Sequence, residues 1–234
     1  MSDPRRVLVT GASRGLGRAL VEHFIASGDL VVGCSRSDSD LAHDGYTHVR
    51  ADVGAEPDVT RLFAGVRERL GGLDVLVNNA GAAAMNPIAL TTAEGLRQTL
   101  DVNFVGTFLC TRAAVRLLRR SPCPRIVNTT TVAVPFRLEG EAAYAAAKSA
   151  VETFTRVAAK EFAGFGITVN AVGPSPVKTD LTARVPAEKM QRLLERQAIQ
   201  EWADPADVVN AVEFFLRPGS RRITGQVLYL CGAG

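Results

Sequence analysis

Short apolar runs alternate with longer amphipathic segments along the whole chain. The apolar runs, such as Val7-Leu8-Val9 and Val75-Leu76-Val77, are continuously hydrophobic, which is typical of parallel strands that are buried on both faces. The pattern predicts strands at Arg6–Thr10, Leu30–Cys34, His48–Val53, Leu73–Val77, Arg125–Thr131, Ile167–Ala171 and Val227–Leu230. It predicts helices at Arg18–Ser27, Pro57–Leu70, Thr91–Leu118 (as two helices), Ala143–Phe165, Ala187–Gln197 and Asp204–Leu216.

The alternation of strand and helix is not interrupted by any linker, internal repeat or low-complexity segment. It therefore predicts an α/β fold: a single-domain, Rossmann-type, doubly wound parallel sheet with helices on both faces. We expect one domain over residues 1–234.

Composition narrows the classes of function. The chain is 47% hydrophobic and 22% charged with a net charge of +3, and its basic residues are dispersed, so we expect no nucleic-acid partner. No apolar run reaches the ~18 residues that span a bilayer, and the N-terminus has no signal-peptide pattern. The scattered cysteines argue against disulfides and zinc, so we expect a cytoplasmic protein without a metal. They are Cys34, Cys110, Cys123 and Cys231.

A glycine-rich segment joins the first strand to the first helix. Its spacing is Gly-x-x-x-Gly-x-Gly, in a strand–turn–helix context that brings backbone amides and a helix N-terminus to a pyrophosphate. The alternative is a tight turn with no ligand. The candidate cofactor-binding residues are Gly11, Ser13, Arg14, Gly15, Leu16 and Gly17.

Arg36 follows the second predicted strand, at the position where dinucleotide folds carry the group that contacts the adenosine ribose. An acidic residue there binds the 2′-hydroxyl of NAD(H), whereas an arginine accommodates the 2′-phosphate of NADP(H). Arg36, which Arg14 could join, favours NADP(H) as the cofactor. The alternative is two solvated arginines.

Two further strand ends carry polar or small residues. Asp52, followed by Val53, could accept a hydrogen bond from an adenine amino group or cap the next turn. Asn78-Asn79-Ala80-Gly81 indicates either a turn or a wall beside a ligand, and a turn explains the glycine without requiring two amides.

Tyr144 and Lys148 lie four residues apart in a predicted helix, so their side chains share one face. A nearby ammonium lowers the pKa of a phenol, which would make Tyr144 a general acid or base. Taken alone, the pair is better explained as a helix that happens to contain one tyrosine and one lysine. Thr131 ends the preceding strand and Asn103 lies inside a helical stretch, where asparagine has poor propensity.

Together these motifs resemble those of the short-chain dehydrogenase/reductase family, and the sequence as a whole most resembles its β-ketoacyl-carrier-protein reductase branch. The resemblance covers essentially the whole chain. It is carried by the glycine loop, Asn78–Gly81, Asn103, Tyr144-x-x-x-Lys148, Gly173-Pro174-Ser175 and Ile223-Thr224-Gly225-Gln226.

The resemblance implies an NADP(H)-dependent ketoreductase that transfers a hydride to a carbonyl carbon. Tyr144 would donate the proton, Thr131 would orient the carbonyl oxygen, and Asn103 would hold a relay water for Lys148. Lys148 would also bond the nicotinamide ribose. The implied cofactor contacts are Asn79, Ala80, Gly81, Tyr144, Lys148, Pro174, Val177 and Thr179.

Three positions depart from the family pattern. Thr131 stands where serine is usual; it keeps a hydroxyl but adds a stiffening methyl. Ser175 stands where glycine is usual, which would be costly if the backbone needs a positive φ. Cys231 stands where aspartate is common.

The substrate is left open by the sequence. The stretch Leu181–Trp202 is expected to cover the pocket with apolar side chains, and the alternative is an amphipathic helix that packs on itself. A basic cluster suggests docking of an acidic acyl-carrier protein or, more simply, cations at a helix C-terminus. The apolar set is Leu181, Val185, Met190, Leu193 and Leu194; the basic cluster is Arg116, Arg119, Arg120 and Arg125.

The leading hypothesis is a reductase of small-molecule or carrier-linked β-keto substrates in fatty-acid or polyketide metabolism. The alternatives are an alcohol dehydrogenase that works oxidatively and a cofactor-binding sensor or scaffold whose catalysis decayed through Thr131. The resemblance also implies a homodimer or homotetramer that pairs through Thr107–Leu118 and Tyr144–Phe165. These helices look apolar on more than one face, as Val151, Phe154, Val157 and Phe162 indicate.

Overall fold

The structure is a computed structural model that describes residues 3–83, 85–179, 182–183 and 185–232. The strands are β1 (Arg6–Thr10), β2 (Leu30–Ser35), β3 (Tyr46–Arg50), β4 (Val75–Asn78), β5 (Arg125–Thr129), β6 (Thr168–Gly173) and β7 (Val227–Tyr229). The α-helices of the described ranges are α1 (Gly15–Ala26), α2 (Glu56–Leu70), α3 (Ala93–Leu100), α4 (Gly106–Leu118), α5 (Ala133–Phe136), α6 (Ala142–Glu161), α7 (Ala187–Glu195) and α8 (Pro205–Leu216).

All seven strands form one parallel sheet in the order β3-β2-β1-β4-β5-β6-β7. The chain winds outward in one direction from β1 to β3 and in the other from β4 to β7. Strand order therefore reverses between β1 and β4, and a crevice opens there at the carboxyl ends of the strands.

Helices cover both faces of the sheet with separate apolar cores. On one face α2, α4 and α6 pack against the strands through side chains such as Leu62, Leu118 and Ala158. On the other face α1 and α8 do so through side chains such as Phe24 and Phe215. The predicted α/β, doubly wound class is confirmed.

The third strand differs from its prediction. β3 pairs in register with β2 from Val31–Tyr46 to Ser35–Arg50, so it begins and ends earlier than the predicted His48–Val53. Asp52 lies in the turn before α2, where its Oδ1 accepts a hydrogen bond from the Gly54 amide at 2.9 Å. The turn alternative for Asp52 is thus observed, because the hydrogen-bonded strand pairing is already complete at Arg50.

Other boundaries also depart from the sequence pattern. β5 ends at Thr129, two residues before the predicted end of the strand. The short helix α5 follows, in a stretch where the sequence pattern predicts no helix. A π-helical turn, Asp101–Val105, separates α3 from α4, consistent with the expected two helices. Leu181, the start of the expected cover over the pocket, lies outside the described residues. No helix in the described ranges is long and apolar enough to cross a membrane.

Candidate active site

A cleft of about 1410 Å³ lies at the carboxyl ends of the strands. It is lined by Thr131, Tyr144 and Lys148, whereas Asn103 is buried beside it. Its walls include every residue that the sequence indicated for cofactor binding: Gly11, Ser13, Arg14, Gly15, Leu16, Gly17, Arg36, Asp52, Val53, Asn79, Ala80, Gly81, Tyr144, Lys148, Pro174, Val177 and Thr179.

Thr10, which precedes the glycine loop and had no role assigned from the sequence, joins that loop to the end of β4. Its Oγ1 accepts hydrogen bonds from the amides of Asn79 (3.0 Å) and Ala80 (2.9 Å). In return, the Asn79 side-chain amide donates to the Thr10 carbonyl oxygen at 3.0 Å. Asn79 and Ala80 are therefore a wall of the cleft and not a free turn. A hydroxyl residue directly before a glycine loop is the signal that could have identified Thr10.

The glycine loop is closed so tightly that side chains are excluded from it. A Cβ on Gly17 would lie 2.0 Å from the carbonyl oxygen of Gly11, and a Cβ on Gly11 would lie 2.9 Å from the Ala80 Cα. Helix α1 begins at Gly15 within this loop, so its unpaired N-terminal amides are available to an anion. The cradle therefore fits the pyrophosphate of a dinucleotide.

Arg36 lies beyond the end of β2, exposed and lining the same cleft. The two carboxylates that follow Arg36 most closely face other cations: Asp38 lies 3.8 Å from Arg50, and Asp40 pairs with Arg18 at 2.5 Å. This end of the cleft consequently presents a guanidinium to a ligand.

Tyr144 and Lys148 project from α6 into the cleft, and both are largely buried. The Lys148 Nζ donates to the Thr129 carbonyl oxygen at 2.8 Å and lies 5.9 Å from the centre of the Tyr144 ring. Burial lowers the pKa of Lys148 to about 8, because the ammonium loses hydration in the interior.

The expectation that Lys148 lowers the pKa of Tyr144 is wrong for this structure. The pKa of Tyr144 is raised to about 12, first by burial and then by the negative charge of Glu141, while a hydrogen bond with Thr131 lowers it. Desolvation of the phenolate dominates since the phenol is enclosed and Lys148 is held by a carbonyl oxygen. Tyr144 is thus a protonated phenol throughout the neutral range.

Thr131 lies between β5 and α5. Its Oγ1 accepts a hydrogen bond from the Ala133 amide at 3.2 Å, which orients the side chain at the start of α5. The hydroxyl hydrogen is directed towards Tyr144, whose pKa this hydrogen bond lowers.

Asn103 sits inside the π-helical turn and is fully buried. Its Nδ2 donates to the carbonyl oxygens of Ala82 (2.8 Å) and Thr99 (2.9 Å), and its Oδ1 accepts from the Ala82 amide at 3.3 Å. A Cβ on Gly81 would lie 2.9 Å from the Asn103 Oδ1 and 3.5 Å from the Lys148 Nζ. The side chain of Asn103 therefore holds the segment after β4 against Lys148.

A buried carboxylate that sequence reasoning missed lies one helical turn beyond Lys148. Glu152 accepts hydrogen bonds from the Thr130 hydroxyl (2.7 Å) and the Tyr229 hydroxyl (2.6 Å). It joins α6 to the end of β5 and to β7. The signal was its helical spacing from Tyr144 and Lys148 on the same face.

Ser175 and Cys231, which both depart from the family pattern, differ in backbone conformation. Ser175 is buried and its hydroxyl donates to the Gln197 side-chain oxygen, after α7. Among the described residues the non-glycine positions with positive φ are Arg137 and Cys231. Ser175 therefore does not carry the energetic cost of a positive φ. Cys231 instead adopts a φ of 56°.

The expected basic cluster is not one surface. Arg125 is buried and its Nη1 donates to the Pro124 carbonyl oxygen at 3.0 Å. Arg119 stacks on the Phe165 ring at 4.2 Å, and Arg116 lies in the last turn of α4. The inclusion of Arg125 in a docking patch was wrong, because the strand carries it into the interior.

A doubly wound parallel sheet, a phosphate cradle at its switch point and a tyrosine–lysine pair in the same cleft define a dinucleotide-binding oxidoreductase. Comparison with known proteins agrees. Residues 11–232 match a family described as Enoyl-(Acyl carrier protein) reductase.

Two curated relatives are similar over nearly their full length. The 3-oxoacyl-acyl-carrier-protein reductase FabG of Vibrio cholerae is 32% identical over 231 residues, covering 96% of this chain and 95% of the relative. The 3-oxoacyl-acyl-carrier-protein reductase of Synechocystis is 34% identical over 237 residues, covering 96% and 94%.

A solved structure shares the fold. Ligand-free aldohexose dehydrogenase of Thermoplasma acidophilum superposes with a TM-score of 0.89 at 29% identity, covering 99% of this chain and 93% of that one. The chain belongs to the short-chain dehydrogenase/reductase family, as its sequence motifs had indicated.

Proposed function

We propose that this protein is an NADPH-dependent ketoreductase that reduces a carbonyl compound to an alcohol. The observation that carries the proposal is the convergence of Thr131, Tyr144 and Lys148 on one cleft beside the glycine cradle. A proton donor, a carbonyl-orienting hydroxyl and a cofactor site then lie within the reach of one substrate.

NADP(H) is the proposed cofactor. The loop Gly11–Gly17 and the N-terminus of α1 would hold its pyrophosphate, and Arg36 with Arg14 would face the 2′-phosphate. Tyr144 and Lys148 would line the nicotinamide end together with Val177 and Thr179. When bound, NADPH supplies the hydride that reduces the carbonyl carbon.

The side chains of the cleft would supply the proton and the orientation. The Thr131 hydroxyl donates a hydrogen bond to the carbonyl oxygen, and Tyr144 transfers its phenolic proton to the oxygen as negative charge develops. Lys148, in its ammonium form, stabilises the phenolate that remains. Asn103 positions the segment after β4 beside Lys148 and is proposed to contribute to its proton supply.

The relatives suggest a substrate class. Those of Vibrio and Synechocystis are named for 3-oxoacyl groups on acyl-carrier protein, so we propose a β-ketoacyl thioester or a similar small ketone as substrate. Two other names, enoyl reductase and aldohexose dehydrogenase, define the compounds that a test must include.

The decisive experiment measures loss of nicotinamide absorbance with acetoacetyl thioesters, enoyl thioesters, simple ketones and aldohexoses, with NADPH and NADH in parallel. Wild type is expected to reduce ketones with NADPH well above NADH. Tyr144→Phe should lose about 10²–10⁴-fold in kcat, because the general acid is gone, while its NADPH affinity, measured by fluorescence titration, stays near wild type. Equal turnover by wild type and Tyr144→Phe would contradict the proposal.

The alternatives have distinct outcomes in the same assay. An oxidative alcohol dehydrogenase would turn over alcohols with the oxidised cofactor and show little ketone reduction. A cofactor-binding sensor would bind NADPH without turnover of any compound, and Thr131→Ser would then test whether the serine that the family usually has restores catalysis.

A further inference from the structure

A half-buried carboxylate, that of Glu141, lines the substrate end of the cleft. It stands at the N-terminal boundary of α6, one helical turn before Tyr144, so both side chains project from the same face. Among the described residues its carboxylate has neither a hydrogen bond nor an ion pair. A carboxylate in this state retains acceptor capacity for a ligand.

The backbone around Glu141 is held on both sides. The Glu141 amide donates to the Leu138 carbonyl oxygen at 3.3 Å, and the Glu141 carbonyl oxygen accepts from the Ala145 amide at 2.7 Å. The preceding residue, Gly140, accepts a hydrogen bond from the Asn86 amide at 2.8 Å. Glu141 therefore belongs to a fixed wall, and its position relative to Tyr144 does not depend on a loose loop.

Burial raises the pKa of Glu141, and the positive charge of Lys189, in α7, partly offsets that shift. The neighbouring groups of its own helix and turn are the neutral phenol of Tyr144 and the exposed side chains of Arg137 and Glu139, which also line the cleft. The Lys189 Nζ contacts the Met85 sulfur at 3.8 Å.

Two other cations at this end of the cleft contact groups other than Glu141. Arg192 pairs with Glu188 at 2.6 Å, and Arg196 donates to the Phe136 carbonyl oxygen at 2.7 Å. Arg137 also lines this end and is exposed. Arg192 and Arg196 are therefore held by these contacts and not by the Glu141 carboxylate.

We propose that Glu141 is a specificity-determining residue that accepts a hydrogen bond from a donor group near the substrate carbonyl and rejects substrates that carry an anion there. The preferred substrates are then neutral β-keto compounds, such as amides or thioesters with a nearby N–H or O–H, and not free β-keto acids. This inference rests on the proposed function and goes further by naming the substrate class.

The physical reason is the cost of bringing like charges together in a partly dehydrated cleft. An anionic group beside Glu141 is repelled, whereas a donor satisfies the free acceptor. Discrimination of this kind acts through rejection of the wrong ligand as much as through attraction of the right one.

The test uses acetoacetamide and acetoacetate, which match in size and differ in one group, an amide N–H₂ against a carboxylate oxygen. The kcat/KM for acetoacetamide is divided by the kcat/KM for acetoacetate, with NADPH, for wild type and for Glu141→Gln. We expect this ratio to fall about tenfold in Glu141→Gln. The main cause is a higher kcat/KM for acetoacetate, because the anion no longer meets the like charge of Glu141. Comparing ratios between variants cancels the intrinsic reactivity of the two ketones.

The matched control is Glu68→Gln, the same substitution at an exposed position of α2 that does not line the cleft. It is expected to change the ratio by less than about twofold because exposed, distant charges are screened. A ratio that is unchanged in Glu141→Gln, or that changes equally in Glu68→Gln, would overturn the inference.

Failure of the proposed function is distinguishable from failure of the inference. If neither ketone is reduced, the ketoreductase proposal fails, and calorimetric binding of the two compounds to the cofactor-loaded protein then tests Glu141 by itself. If wild type binds acetoacetamide more tightly than acetoacetate and Glu141→Gln loses this preference, the inference is still supported. If wild type binds both compounds equally, it is refuted.

Discussion

At the scale of single residues, burial is the main cause of the pKa shifts of the two ionisable groups, Tyr144 and Lys148, in the cleft. The pKa of Lys148 is lowered to about 8 and that of Tyr144 is raised to about 12. Both shifts disfavour the charged form, as removal from water requires. In the free protein the two groups are thus a protonated phenol and a lysine that titrates close to neutrality.

The first prediction concerns pH. Lys148 keeps its ammonium below its lowered pKa and loses it as the pH rises through about 8. Ketone reduction that depends on this charge should therefore be full at neutral pH and fall on the alkaline side. The measurement is the pH profile of kcat/KM, which reports groups of the free enzyme.

A variant tests this assignment. In Lys148→Met the alkaline limb near pH 8 should disappear together with most of the activity, while the helical circular dichroism is kept. An alkaline limb that persists unchanged in Lys148→Met would assign the titration to another group.

At the scale of elements, the cofactor cradle depends on two chain segments that nearly touch. Gly17 in α1 packs against the carbonyl of Gly11, so a Cβ at position 17 would have to overlap a backbone atom. Backbone cannot move aside as a flexible side chain can. The loop geometry and the start of α1 are therefore one unit.

The second prediction follows from this contact. Gly17→Ala should weaken NADPH binding by more than tenfold and lower the melting temperature, because overpacking costs about 1–3 kcal/mol or more. Fluorescence titration and thermal unfolding measure the two effects.

Gly65→Ala is the matched control for that variant. Gly65 lies inside α2, and a Cβ there meets no atom within 4 Å. The substitution should stabilise the protein by about 0.5–1 kcal/mol, since alanine is the better helix former. Destabilisation of both variants to the same extent would show that the Gly11 contact is not the cause.

At the scale of the whole molecule, α4 and α6 leave apolar side chains in solvent. Phe108 of α4 is 40% exposed and Val157 of α6 is 47% exposed, and the Phe108 and Phe154 rings lie 5.7 Å apart. Exposed apolar surface on adjacent helices marks an interaction site. We propose a second copy of the chain as its partner, which agrees with the homo-oligomer expected from the helix pattern.

The third prediction tests that interface. Val157→Glu should convert the oligomer to a smaller species in size-exclusion chromatography with light scattering, because a buried unpaired charge opposes association. Ile88→Glu, at a position 78% exposed outside these helices, should leave the oligomer intact. A wild-type protein that is monomeric at all concentrations would refute the proposed interface.

Much of this architecture could be predicted because its signals are local. Strand β1 has its predicted bounds, and α2 differs from its prediction only at its start, since apolar runs and a helical period are visible within a few residues. The glycine spacing and the Tyr144–Lys148 pair likewise act through neighbours in sequence. The bounds of β3 were missed because pairing with β2 sets them, and α5 was missed because it is a single turn with a proline.

The sequence by itself determined the α/β class, the glycine cradle and the tyrosine–lysine pair on one helix face, since periodicity and spacing are properties of the chain. Only the tertiary structure decided the protonation of Tyr144, the burial of Arg125, the hydrogen bonds of Thr10 and Glu152, and the place of Glu141 in the cleft wall. A pKa depends on how much water surrounding elements exclude, and a hydrogen-bond partner is chosen by elements distant in sequence. Such quantities arise only when the sheet and its helices are assembled.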